Sequence, residues 1–264
     1  MTDTPFDPLT HAYEALVDWP QRLAHETPFY RRLFDVVNAR TVLDAACGTG
    51  HHAALFHSWG LQVEGADIST AMIEQARTRF GEPPGLRWAV RGFHEPVAHS
   101  QPFDVALCVG NSLALAPDAD TVRRTIAELL KAVTREGAVV IHAANLWRLP
   151  DGPCVWQKCR RAVLAGSDSL ILKGLHRCQS RGYVNVVVMR LDDSSRFASS
   201  SIPLLTFESA GLERMARDAG AQSVEVYGGY RDEPYDRQSS PDLIVVARKT
   251  QPPPSTRAEA IRAG

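Results

Sequence analysis

Over the first forty residues, Leu16, Leu23, Phe29, Leu33, Phe34 and Val37 recur at helical spacing, and Pro20 and Pro28 interrupt the run, which predicts several short helices. The pattern then shortens. Residues 41–45 form a compact apolar run that enters Cys47-Gly48-Thr49-Gly50, a strand feeding a glycine turn. A helix is expected from there to Trp59, with Gly60 to stop it, then a strand over 61–66 that ends at Asp67. Ser69 is placed to cap a helix reaching Phe80, and residues 86–90 and 103–109 read as the next two strands. In the following segment, 119–134, Val122, Ile126, Leu129, Leu130 and Val133 share one helical face. Gly137 reads as its stop, and residues 138–143 as the fifth strand. Strands alternating with helices at this spacing predict a doubly wound α/β fold, a parallel sheet covered on both faces.

Residues 149–202 break that rhythm. The apolar runs 170–172 and 184–189 flank the turn-like Gln179-Ser180-Arg181-Gly182, which predicts an inserted antiparallel β-hairpin. A helix over 207–219, a strand over 223–227 and a last strand over 242–247 resume the pattern. The expected organisation is therefore a helical cap over 1–40, a core over 41–148, an inserted lid over 149–202, the rest of the core over 203–249, and a disordered tail over 250–264.

Composition narrows the classes. With 264 residues, 44% hydrophobic and 22% charged, the chain is long enough for a full core. Its 29 basic and 30 acidic side chains give a net charge of −1, which disfavours a nucleic-acid binder. No apolar run reaches the roughly 18–20 residues of a membrane span, and the polar start Met1-Thr2-Asp3-Thr4-Pro5 shows no secretory signal. Five scattered cysteines do not suggest a disulfide scaffold. A cytoplasmic protein without a membrane or nucleic-acid partner is expected, and no metal-ligand spacing stands out: Cys154, Cys159, His176 and Cys178 fit no common zinc pattern.

The candidate chemistry sits on the glycine turn. A strand, a Gly48-x-Gly50 turn and a helix bring backbone amides and a helix dipole close to a ligand, and Asp67 at the end of the next strand can accept the two hydroxyls of a ribose. These residues alone also satisfy a loose dinucleotide fingerprint, so a nicotinamide-dependent oxidoreductase stays open at this point.

Beyond them, LDAACGTG with Asp44, VEGADIS with Asp67, PFDVALCVGNSL, LLKAVTREGAVVIH and SPDLIVVARK, in that order, resemble the motifs of class I S-adenosylmethionine-dependent methyltransferases. The resemblance implies a Rossmann-like sheet of seven strands with the last one antiparallel, and S-adenosylmethionine as cofactor. WPQRLAHETPF, Val109-Gly110-Asn111-Ser112 and the inserted hairpin further resemble glycine N-methyltransferase and its small-molecule relatives. By that resemblance Arg22 pairs with the methionine carboxylate and Asp44, Ala46, Gly48 and Gly50 form the same end of the site. Asp67 takes the ribose beside Ile68 and Met72, Gly92 and Phe93 flank the adenine, and Val109 lies near the sulfur. The family's substrate-gripping arginine after strand five is replaced here by Ala144, which argues against glycine as the acceptor.

Methyl transfer to a small molecule, at an amine nitrogen, is thus the leading expectation. Transfer to a hydroxyl oxygen is the runner-up, and a non-catalytic cofactor-binding module a further alternative. Such a displacement needs alignment more than acid–base power. Asn111 at the end of strand four, His142 and Asn145 at the end of strand five, and Tyr13 in the cap are the candidates for orienting the acceptor or taking its proton. Tyr230 and Arg231, before the last strand, read equally well as pocket residues or as an exposed loop.

Overall fold

The computed structural model describes residues 14–98, 101–164, 166–193 and 195–250; Tyr13 and nearly all of the expected tail lie outside them. Helix α1 (Trp19–Val36) is continuous where short pieces were expected. Asp18 caps it, accepting from the Gln21 N–H at 3.2 Å, and Pro20 falls in the first turn, where a missing N–H costs nothing. Pro28 lies inside the helix. The burial of Phe29, Tyr30, Leu33 and Phe34 immediately beyond it outweighs one lost backbone bond, a penalty of about 3 kcal/mol.

The chain then lays down β1 (Thr41–Asp44), α2 (His51–Ser58), β2 (Gln62–Asp67), α3 (Thr70–Phe80), β3 (Leu86–Val90), β4 (Phe103–Cys108), α4 (Ala119–Ala132) and β5 (Val133–Ala144). After an inserted sheet come α5 (Ser209–Asp218), β10 (Ser223–Tyr227) and β11 (Asp242–Arg248). Seven strands form one sheet in the order β10-β11-β5-β4-β1-β2-β3. β1, β2, β3, β4 and β5 pair in parallel, while β11 runs antiparallel to both β5 and β10, as the motif resemblance implied. Successive residues of β1 feed opposite layers. Val42 joins Phe34, Phe56, Ile73 and Trp88 on one face, and Leu43 joins Ile126, Leu129 and Leu212 on the other. The order reverses between β1 and β4, so a crevice opens beyond their carboxyl ends, the usual ligand position in such sheets.

Gly137 does not stop a helix. α4 ends at Ala132, with Val133 already extended, and Gly137 lies within β5, where the pairing with β4 shifts register between Phe103 and Val105. A Cβ there would sit 2.7 Å from the Asp104 carbonyl oxygen, so the irregularity requires glycine.

The insertion is larger than a hairpin. β6 (Val155–Leu164), β7 (Ser167–Cys178), β8 (Arg181–Arg190) and β9 (Phe197–Leu205) form a four-stranded antiparallel sheet, turning at Gln179-Ser180 as expected. β6 and β9 escape the sequence reading because they are edge strands with mostly exposed residues, interrupted by Gln157, Lys158, Arg160 and Arg161 in β6 and by Ser199, Ser200 and Ser201 in β9, and β9 continues past residue 202. The inner face carries Ile171, Leu175, Val184, Val186, Ile202 and Leu204, packed on Leu16, Ala114, Leu146 and Leu149. That third core holds the inserted sheet over the mouth of the main one. Among the described residues no helix is long and apolar enough to cross a membrane.

Candidate active site

Two adjoining cavities open at the β1/β4 switch point and share Arg22, Gly110 and Leu115 as walls. The smaller, about 280 Å³, is a crevice walled by Ala46, Gly48, Asp67, Ile68, Met72, Gly92, Phe93 and Val109, all expected from sequence, with Trp19, His52 and Ser112 added by the fold. Its wall is mostly apolar, with Asp67, Ser69, His94, Arg22, His52 and Ser112 as the polar side chains.

Asp67 is held by the turn it faces: Oδ2 accepts from the Gly48 N–H and Oδ1 from the Ser69 N–H, both at 2.9 Å. Ser69 in turn caps α3. The amides of the turn are largely spent inside the protein. Ala45 N–H donates to Leu107 O, Cys47 N–H to Ala66 O and Gly50 N–H to Cys47 O, at 2.8, 2.9 and 3.0 Å. A diphosphate would find few donors here and one carboxylate facing it, so the crevice suits hydroxyls and an uncharged base better than a dinucleotide.

Gly50 does not line the crevice. It caps α2 in the left-handed region (φ 85°), and a Cβ on it would come within 2.5 Å of the Trp88 ring, so its role is packing. Asp44 also lies off the wall, beneath Ala45 and Ala46. Both of its carboxyl oxygens are buried without a well-formed hydrogen bond; burial together with the Asp67 charge outweighs a contact with the Ala46 N–H and pushes its pKa up to about 7. A ligand bringing donors or positive charge to this end would relieve that cost.

Arg22 is positioned by helix geometry. One turn on from it, the buried Glu26 receives its Nε at 2.7 Å and the His52 ring nitrogen at 2.7 Å, while the guanidinium lies 5.2 Å from the centre of the Trp19 ring. Burial opposes the ionisation of Glu26, but His52 and Arg22 hold its pKa down at about 2. Trp19 is stacked on His51 at 4.1 Å, which fixes the wall between the N-terminal helix and the turn.

The larger cavity, about 570 Å³, lies between the carboxyl ends of β4 and β5, α1 and the inserted sheet. Asn111, His142, Asn145 and Tyr230 all line it; Arg231 is exposed and does not. Asn111, in the left-handed region (φ 71°), accepts from the Ala144 N–H at 2.9 Å, so its amide group is the part left for a ligand.

Two expectations need correction. Asn145 was a candidate substrate contact, yet its amide donates to the Arg237 and Ser240 carbonyls at 2.9 Å each, and its oxygen accepts from Trp147 N–H and Tyr235 OH at 3.2 and 3.3 Å. It clasps loops and has nothing to offer an acceptor. His142 was a candidate base. Its Nδ1 accepts from the Gly110 N–H at 3.1 Å and its Nε2 lies 3.0 Å from Asp242 Oδ1, so the network assigns the proton to Nε2 and leaves no lone pair for substrate. It fixes the Gly110 backbone where the two cavities meet.

Sequence reasoning missed His25, one turn along α1 from Arg22, which lines the larger cavity with neither ring nitrogen hydrogen-bonded among the described residues. It also missed how deeply Tyr230 is buried. That ring packs on Phe29, Tyr30 and His142, with its hydroxyl buried and lacking a well-formed hydrogen bond.

Comparison with known proteins agrees with this geometry. Residues 42–137, which hold the turn, Asp67 and the end of β4, match the model of a methyltransferase domain. A glycine/sarcosine N-methyltransferase from Halorhodospira halochloris is 25% identical over 94% of this chain and 90% of its own length. One from Parasynechococcus marenigrum is 30% identical over 60% of this chain, which spans 57% of that relative. In fold, the chain is similar to an amino pentose methyltransferase from Micromonospora echinaspora, solved with S-adenosylmethionine bound, at a TM-score of 0.70 and 20% identity over 95% of this chain and all of the other. With five ordered motifs, a crevice suited to an adenosyl group and a family model on its core, the chain is a class I S-adenosylmethionine-dependent methyltransferase.

Proposed function

We propose that the chain methylates an amine nitrogen of a small molecule seated in the larger cavity. The observation that carries this reading is the pair of cavities meeting at Gly110: one suits the donor, the other opens beside it, sets polar side chains such as Asn111 and His25 on a largely apolar wall, and is large enough for a metabolite. Relatives of two kinds support the amine: the glycine/sarcosine N-methyltransferases and a dTDP-4-amino-2,3,4,6-tetradeoxy-D-glucose N,N-dimethyltransferase from Saccharopolyspora spinosa, 33% identical over 43% of this chain.

When bound, S-adenosylmethionine supplies an electrophilic methyl group and departs as a neutral thioether. Asp67 would hold the ribose, Arg22 the methionine carboxylate, and Phe93 would pack on the base. Asn111 presents its amide to the acceptor, and His142 keeps the Gly110 backbone in place through Nδ1. His25, which lines the cavity with neither ring nitrogen hydrogen-bonded among the described residues, takes the proton an ammonium acceptor must lose. The inserted sheet and α1 exclude water from the transfer.

Incubation with methyl-labelled donor and matched panels of amines and alcohols tests the reading. Label in amines supports it; label confined to hydroxyl oxygens replaces it with O-methylation, and no label in any acceptor despite S-adenosylhomocysteine binding replaces it with a binding module.

A further inference from the structure

Along the middle of β7, between Ser169 and Arg177, the inner face of the inserted sheet is apolar but for one residue. Ile171 and Leu175 alternate with Lys173, which sits among Val184, Val186 and Leu204 on the wall of the larger cavity. A lysine in such a stripe normally has a carboxylate beside it. Lys173 has neither an ion pair nor a hydrogen bond among the described residues.

Its neighbour worsens the position. The pairing of β6 with β7 shifts register between Trp156 and Lys158, and the shift sets Lys158 directly opposite Lys173. Like charges facing each other across an antiparallel pair are destabilising. Lys158, at the cavity's mouth, donates only to the Leu16 carbonyl at 3.0 Å. The carboxylates on the cavity are committed elsewhere: Asp18 to Arg160 and the α1 cap, Glu26 to Arg22 and His52, Asp242 to His142. Burial and the charges of Lys158 and Arg22 lower the Lys173 pKa to about 8, leaving it mostly charged at neutral pH. The fold therefore keeps two facing cations at a cavity without an acidic partner.

We propose that Lys173, with Lys158 at the mouth, forms an anion-binding site that selects acceptors carrying a carboxylate or phosphoryl group on the same skeleton as the methylated nitrogen. This rests on the amine-methylation reading for its acceptor, but the site itself is a property of the inserted sheet. It takes the place of a charge on the core sheet, where β5 ends at Ala144 without one. The cavity's 570 Å³ admits an acceptor well beyond a single small amino acid.

Two measurements test it. The first needs no turnover: wild type, Lys173→Met and Lys173→Arg are melted with inorganic phosphate or with chloride at matched ionic strength. Phosphate should raise the melting temperature of wild type and Lys173→Arg above the chloride control, while Lys173→Met, relieved of the repulsion, melts no lower than wild type in chloride and loses the phosphate response. An equal phosphate response in Lys173→Met overturns the site.

The second compares ω-amino carboxylates, aminoalkyl phosphates and the neutral ω-amino amides as acceptors. An anionic series should exceed the amides in kcat/KM by roughly tenfold to a hundredfold, the worth of a charge-assisted hydrogen bond. Lys173→Met should erase the preference and Lys173→Arg restore it; which anionic series wins separates carboxylate from phosphoryl. Amides methylated as well as both anionic series overturn the selection while leaving amine methylation intact. If no amine is labelled, the amine reading fails and the melts alone decide whether the anion site stands.

Discussion

At the Asp67 carboxylate, structure and ligand binding draw on the same atoms, since each oxygen already receives one backbone N–H from the turn and from the α3 cap. Replacing it with alanine removes the hydroxyl acceptor and releases two amides. Asp67→Ala should weaken S-adenosylhomocysteine binding by about 1–3 kcal/mol in calorimetry, the cost of leaving polar groups unmatched; unchanged affinity would remove the ribose role. The two histidines divide differently. His25→Ala should lower kcat at unchanged cofactor affinity, with partial rescue by added imidazole. His142→Ala should weaken cofactor binding through the loosened Gly110 backbone and resist that rescue. Rescue of His142→Ala instead would return the base to β5. The position of Asp67 beside the turn was legible in the sequence because strand, turn and strand fix it locally. The surroundings of His142 and Asn145 were not legible, because their partners Arg237, Ser240 and Asp242 come from the start of β11 and the loop before it, about a hundred residues away, where no local pattern reveals them.

Elements were legible where their periodicity was undisturbed and hidden where a neighbour set the outcome. The motif strands of the core read clearly, since most are short, largely apolar runs bounded by a turn. α1 was misread because proline penalties are local whereas the burial of Phe29, Tyr30, Leu33 and Phe34 is tertiary. β6 and β9 were unreadable because strand edges facing solvent lose the alternation that marks them. The lysine pair depends on a register shift that only the paired strands define. The two glycines of the turn show the same contrast. Gly48 has open space around its missing Cβ and lines the crevice, whereas Gly50 abuts Trp88. Gly50→Ala should therefore cost roughly 2–4 kcal/mol of stability, combining backbone strain with overpacking, read as a fall in the urea midpoint. Gly48→Ala should cost less stability and more cofactor affinity. Equal losses would mean that both glycines serve packing alone.

For the molecule as a whole, placing carboxylates at the switch point gives the ligand-free protein a stability that runs in opposite directions with pH. Glu14 is opposed by burial but held at about 2 by hydrogen bonds from His51, Thr49 and Arg79, and Glu26 is likewise held at about 2. Their folded values lie below the roughly 4.3 of an unfolded chain, so their stabilisation is present above that pH and is lost as the pH falls toward 2. Asp44 has the reverse sign. Its folded value of about 7 lies above the unfolded value of about 3.9, so the folded state holds the proton more tightly. That contribution is complete below about pH 4 and disappears as the pH rises through 7. The melting temperature of the ligand-free protein should therefore climb from pH 2 to about 4.5 and sag toward neutrality, and Asp44→Asn should flatten the sag while keeping the acid limb. A variant with the wild-type slope between pH 4 and 7 would show that Asp44 ionises without penalty. If the slope does flatten, the same group that destabilises the empty fold at neutral pH stands beneath the crevice wall at Ala45 and Ala46, where a donor-bearing ligand can offset it, so part of the cofactor's affinity is prepared by a cost already present in the free protein.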